Sequence, residues 1–147
     1  QLAQFADGHV GELRRACGDR AVLRALHYYD ENARVLEQAA AIRGGDLPAF
    51  FDAVKRSGDS SWKLLQNVYA RSTEEQMAMG IELSRRFLHG DGAQRVHGGG
   101  FAGTIQAYVP LDRLDDYKKL MEDAFGPGSC TALMVRPEGA VMMPMEG

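Results

Sequence analysis

From Arg20 to Arg43, apolar side chains fall at Val22, Leu26, Tyr29, Ala33, Leu36 and Ala40. Steps of three and four lay one stripe along a helix of about six turns. Gly44-Gly45 ends it with a residue free to take positive φ. Asp46 then suits the N-cap of a second helix, with Pro48 in the first turn and Leu47, Phe50, Phe51 and Val54 as its apolar face. Ser57-Gly58-Asp59-Ser60-Ser61 breaks that pattern and reads as a turn. A further helix is expected over Trp62 to Tyr69. Ser72 with Glu75 is a capping-box pattern that opens a helix to about Leu88, and Gly90-Asp91-Gly92 closes the helical part.

The period then changes. Gln94 to His97 reads as a short strand entering Gly98-Gly99-Gly100-Phe101-Ala102-Gly103. Thr104 to Val109 alternates polar and apolar, the pattern of a half-buried strand, and Pro110 ends it. Leu111, Leu114, Tyr117, Leu120, Met121 and Phe125 return to helical spacing, which Gly126-Pro127-Gly128 stops. Cys130 to Val135 is an apolar run between turn signals and predicts a buried strand. The order predicts one α+β domain over 1–147, with a helical part at about 10–90 and a strand-rich part at about 93–143. Its expected form is a ferredoxin-like split β-α-β layer with additional N-terminal helices, packed on one face.

A chain of 147 residues buries about 70% of its unfolded surface, enough for one core. The net charge of −3 argues against a nucleic-acid partner, which requires clustered Lys and Arg. No apolar run approaches the roughly 18 residues that cross a bilayer. Gln1-Leu2-Ala3-Gln4-Phe5 has no basic region before an apolar one, so a cytoplasmic protein without a membrane partner is expected. Cys17 and Cys130 lack metal-ligand spacing and are expected as reduced thiols in or near the core.

Gly98, Gly100 and Gly103 match the string GxGxxG. A dinucleotide site needs a helix to begin there, and the alternating segment after Gly103 cannot supply one. A protein-kinase loop lies between strands, but HRD and DFG sequences are absent. No Gly-Lys-Ser/Thr ends the run, which excludes the Walker form. Two readings remain. One is a tight turn that needs positive φ; the other is a hairpin whose N–H groups line an anion-binding concavity.

Arg95-Val96-His97-Gly98-Gly99-Gly100-Phe101-Ala102-Gly103-Thr104 resembles the third motif of the GHMP kinases in its galactokinase form. Asp30-Glu31-Asn32-Ala33-Arg34-Val35-Leu36 followed by Gly45-Asp46-Leu47 resembles the Glu-Asn-Xaa-Arg-Val helix and Gly-Asp-Leu turn of galactokinases. Val135-Arg136-Pro137 resembles the closing strand of that family. The ordered match runs from about Asp19 to Val141. Ala102 stands where many members have Gly, Ser57 to Ser61 replace a Ser-His pair, and no Tyr-Glu-Val-Ser run follows Tyr69, as in a divergent branch.

The resemblance implies a GHMP kinase C-terminal domain, part of an ATP- and Mg-dependent kinase of galactose acting on the anomeric hydroxyl. Gly98, Gly99, Gly100, Phe101, Ala102 and Gly103 would support the nucleotide-phosphate loop of an N-terminal kinase domain, with Arg95 as a phosphate neighbour. That domain's Gly-Glu-His-Xaa-Asp-Tyr and Gly-Leu-Ser-Ser-Ser motifs are not in this chain. The resemblance therefore implies no catalytic residue here, no tightly bound cofactor and an inactive isolated fragment. Its partners would be the N-terminal domain, the sugar and ATP. The alternative is a non-catalytic α+β module of the same fold, used in ligand sensing or oligomerisation.

His97 is expected as a packing residue at a strand end. His9, His27 and His89 have no ligand spacing with one another or with the cysteines, so no metal site is expected. Asp30, Glu31 and Glu37 are expected on a solvated helix face, partly paired with Arg34 and Arg43. Met142, Met143 and Met145 suit an apolar tail that packs on the domain.

Overall fold

The computed structural model describes residues 4, 7–101 and 103–135. Helix α1 (Val10–Cys17) turns at Gly18 into the long α2 (Asp19–Gly44), and α3 (Leu47–Ser60) runs on into a single π-helical turn, Ser61–Leu65. Helix α4 (Gln76–Leu88) precedes the hairpin β1 (Ala93–Val96) and β2 (Ile105–Tyr108), followed by a short 3-10 turn (Leu111–Arg113) and α5 (Leu114–Phe125). Mixed helices with a two-stranded antiparallel sheet make an α+β arrangement.

The punctuation predicted for α2 and α3 is present. Gly45 ends α2 in the left-handed region, and the Asp46 carboxylate accepts from Ala49 N at 3.0 Å. That bond satisfies one of the otherwise orphaned N–H groups of the first turn.

In the sheet, Ala93 pairs with Tyr108 and Val96 with Ile105. Side chains alternate across a strand, so Ala93 and Arg95 face one side and Gln94 and Val96 the other. Phe50 and Val54 of α3 pack on Ala93 and Tyr108, with the Phe50 and Tyr108 rings edge to face at 5.3 Å. Met77 and Ile81 of α4 pack with Val68 on Val96 and Ile105. The helices therefore cover both faces of the hairpin rather than the one face expected.

Three other expectations are corrected. Ser57 to Ser61 do not form a turn; α3 continues to Ser60, Ser61 opens the π turn, and Gly58 lets the helix lie against β1. A Cβ on Gly58 would stand 3.1 Å from Gln94 O and 3.2 Å from Arg95 Cβ. The helix over Trp62 to Tyr69 is confined to the π turn and ends at Gln66, which is left-handed at φ 59°. No capping box forms at Ser72; α4 starts at Gln76, and Glu75 makes no side-chain cap bond.

Cys130 to Val135 do not form a strand, and Leu133, Met134 and Val135 are exposed. An apolar run becomes a buried strand only with a neighbour for its N–H and C=O groups and a layer to cover it. Among the described residues neither is supplied, and their sheet has two strands rather than the ferredoxin-like split layer expected. Cys17 is exposed rather than in the core, and Cys130 is half-buried; both are free thiols. Arg136-Pro137 and the Met142, Met143 and Met145 tail lie outside the described residues.

Candidate functional site

The glycine run forms the tip of the β1–β2 hairpin, as its composition predicts. His97 N donates to Thr104 O at 3.0 Å, closing the ladder just beyond Val96 and Ile105. Gly98, Gly100, Phe101 and Gly103 have φ values of 60°, 72°, 58° and 84°. Glycine takes that region without penalty, whereas Phe101 takes it against the steric preference of an L side chain. No helix begins after the run, which disposes of the dinucleotide reading. Ala102 lies outside the described residues.

A residue that sequence reasoning missed holds the tip in place. Asn67 is 1% exposed and enters from the loop after the π turn. Its Nδ2 donates to Gly99 O at 3.1 Å, and its main-chain oxygen accepts from Phe101 N at 3.0 Å. Gly100 lies between the two bonds: a Cβ there would stand 2.2 Å from Asn67 O. The signal available in the sequence was weak, a single Asn between Gln66 and Val68 with no pattern to mark it.

The outward side of the tip is different. Gly98, Gly99 and Gly103 are exposed, and nothing lies within 4 Å of a Cβ built on any of them. Their N–H groups find no acceptor among the described residues. Phe101 is half-exposed. Residues 97–104 contain no carboxylate, so the tip offers N–H donors to an anion and no negatively charged ligand to a cation. His97 is exposed rather than packed, and its main-chain oxygen accepts from Gly100 N at 3.4 Å.

Arg95 stands two residues before the run and faces α2. Its Nη1 is 3.5 Å from Glu31 Oε1, and its Nε donates to Val96 O at 3.1 Å. Glu31 is the centre of a partly buried polar group and not part of a solvated face. It also accepts from Ser57 Oγ and pairs with Arg34, which is only 8% exposed. His27 Nδ1 lies 2.9 Å from Ser60 Oγ beside this group. Burial lowers the His27 pKa below the ordinary imidazole value; Arg34 and Arg95 lower it further, and Glu31 and Asp30 oppose them. The serines read from sequence as a turn thus line the contact between α2 and α3.

A separate cavity of about 600 Å³ opens near the other end of the hairpin, lined by Lys55, Arg85, Arg86, His89, Gly90, Gly92 and Gln94. It does not reach the glycine run, and Arg85 and Arg86 are both paired with Glu82 at 2.7 Å. Among the described residues, no group of three or more His, Cys, Asp or Glu side chains is placed to hold a metal ion. None of their helices is long and apolar enough to cross a membrane.

Comparison with known proteins supplies the context for this hairpin. The galactokinase of Mannheimia succiniciproducens is 29% identical over 124 residues, covering 84% of this chain and 30% of that protein. The galactokinase of Haemophilus influenzae is 31% identical over 105 residues, or 71% of this chain and 26% of that protein. That of Pasteurella multocida is 28% identical over 124 residues. The chain spans less than a third of the length of these relatives. No family model matches it, and no solved structure matches it significantly.

Proposed function

This chain is related to the galactokinases over most of its length, and we propose that it is the C-terminal part of an ATP- and Mg-dependent kinase of galactose. That likeness carries the reading. The hairpin gives it a physical role. Phosphoryl transfer rests on positioning and on charge stabilisation around the phosphates. A backbone tip with free N–H groups and no carboxylate suits a place behind a phosphate-binding loop, at the wall of the cleft.

In this reading the chain's residues position and do not perform the chemistry. Gly98, Gly99 and Gly103, bare of side chains, let the loop of an N-terminal domain approach the tip closely. Mg²⁺ bound with ATP neutralises phosphate charge, and its ligands come from outside this hairpin. Arg95, turned toward Glu31, holds the base of the tip and contacts phosphate only if that pair opens. Docking of the remaining protein also supplies cover for Cys130 to Val135, so that the split β-α-β layer closes.

Coupled measurement of ADP release, with galactose varied, tests the reading on the intact polypeptide that contains this chain. Galactose-dependent turnover is expected from it and not from the 147-residue chain alone. An intact protein inactive with galactose and other hexoses, or turnover that persists in the repurified chain, overturns it.

A further inference from the structure

We propose that Asn67 is the positioning residue of the glycine tip, setting the backbone shape that the tip presents to a nucleotide-phosphate loop. Left to itself, the tip has little to order it. Four of its described residues have positive φ, three of them glycines with wide backbone freedom, and among the described residues its one internal bond beyond the ladder is the 3.4 Å contact from Gly100 N to His97 O. Asn67 supplies the missing constraint from a different part of the chain, grasping Gly99 O with its amide and Phe101 N with its main-chain oxygen.

The fit is mutual. A Cβ at Gly100 would meet Asn67 O at 2.2 Å, Nδ2 at 2.6 Å and Cγ at 2.8 Å, so the clamp and the glycine require each other. Phe101 sits in the left-handed region with its N–H committed to Asn67 and its ring half-exposed, which fixes where that ring projects. The amide cannot be reversed, since that would set Oδ1 against Gly99 O. In the observed orientation Oδ1 is buried and unpaired among the described residues. A buried amide oxygen without a partner is uncommon. The side chain therefore acts on the tip through its Nδ2 donor and not through its acceptor.

The isosteric variant Asn67→Asp separates positioning from mere bulk. A carboxylate has no proton to give Gly99 O and repels it, whereas the neutral carboxylic acid donates an O–H in the amide's place. Hydrogen-exchange protection of the Phe101 amide is the readout on the 147-residue chain, with wild type titrated in parallel to carry any effect of His97. Asn67→Asp is expected to lose on the order of tenfold in protection near pH 7.5 and to regain it on acidification, the equivalent of one lost hydrogen bond. Asn67→Ser, uncharged and too short to reach, is expected to lose the same protection at every pH, and it stands in should the aspartate variant not fold. Wild-type protection in Asn67→Ser, or a loss in Asn67→Asp that acid does not reverse, overturns the proposal.

The kinetic consequence rests on the kinase reading: in the intact enzyme Asn67→Asp raises KM for ATP several-fold and leaves KM for the sugar unchanged. Unchanged KM for ATP, in an enzyme whose Phe101 amide has lost protection, removes the functional half. Absence of sugar-dependent turnover in wild type defeats the kinase reading alone, because the exchange result still decides the clamp.

Discussion

Arg95 points its guanidinium at Glu31, 3.5 Å away, although it stands two residues before a run of glycines suited to anions. Glu31 also receives Ser57 Oγ and Arg34, so one carboxylate on α2 joins α3 and β1. Removing Glu31 leaves the nearly buried Arg34 with the more exposed Asp30, 3.4 Å away, as its counter-charge, and leaves Ser57 Oγ without its acceptor. Glu31→Ala is expected to lower stability by about 2 kcal/mol. Glu31→Gln, which can still accept from Ser57, should lose less. Urea denaturation of the three proteins decides, and equal midpoints would refute the hub.

His27 gives the same region a dependence on pH. Burial first, then Arg34 and Arg95, hold its pKa below the ordinary value of about 6.5. The unfolded chain therefore binds the proton more readily than the folded one, and stability falls as pH drops below that value toward the folded pKa. Above it, this residue contributes no slope. His27→Gln removes this component, so the variant's stability should fall less between pH 7 and 5 than that of wild type. Parallel curves would show that His27 does not titrate against the fold.

The glycines of the tip are not equivalent. Gly100→Ala sets a Cβ 2.2 Å from Asn67 O at a φ of 72°, and is expected to cost about 2–3 kcal/mol. Gly99→Ala meets nothing within 4 Å and lacks the positive φ, so its cost should stay within about 0.5 kcal/mol. Thermal melts of both separate a conformational requirement from a packing one. Similar losses at the two positions would mean that the clamp is not what distinguishes them.

What could be read from the residues followed from local chemistry. The glycine end of α2, the Asp46 cap and the glycine hairpin each carry their own signal over a few residues, whereas the stripe read along α2 fails past Tyr29: Ala33, Leu36 and Ala40 are exposed, and Arg34 is buried instead. What could not be read depends on distant neighbours. Gly58 looks like a turn residue until β1 is seen lying against it. Cys130 to Val135 has the composition of a buried strand, but composition says nothing about whether a sheet edge is available. Asn67 acts on residues more than thirty positions away through one amide and one carbonyl, and neither leaves a periodic trace.

The last prediction concerns the partner of the tip. On the proposed galactokinase reading, supplying the N-terminal part as a separate chain should make galactose-dependent activity appear, rise with fragment concentration and saturate. The fragment leaves Leu133, Met134 and Val135 exposed, apolar surface that favours association. Splitting the polypeptide makes docking bimolecular and forfeits an effective concentration of order millimolar, so micromolar mixtures should show only partial activity. Gly99→Val provides the specific control. The site is open in this chain, so the variant should fold normally, while its side chain would occupy the space that the proposed reading gives to a phosphate loop. Reduced activity at unchanged chain stability is therefore expected. Fragments that comigrate on gel filtration but stay inactive with galactose and other hexoses would remove the support for the galactokinase reading. Full activity with Gly99→Val would place the phosphate loop elsewhere.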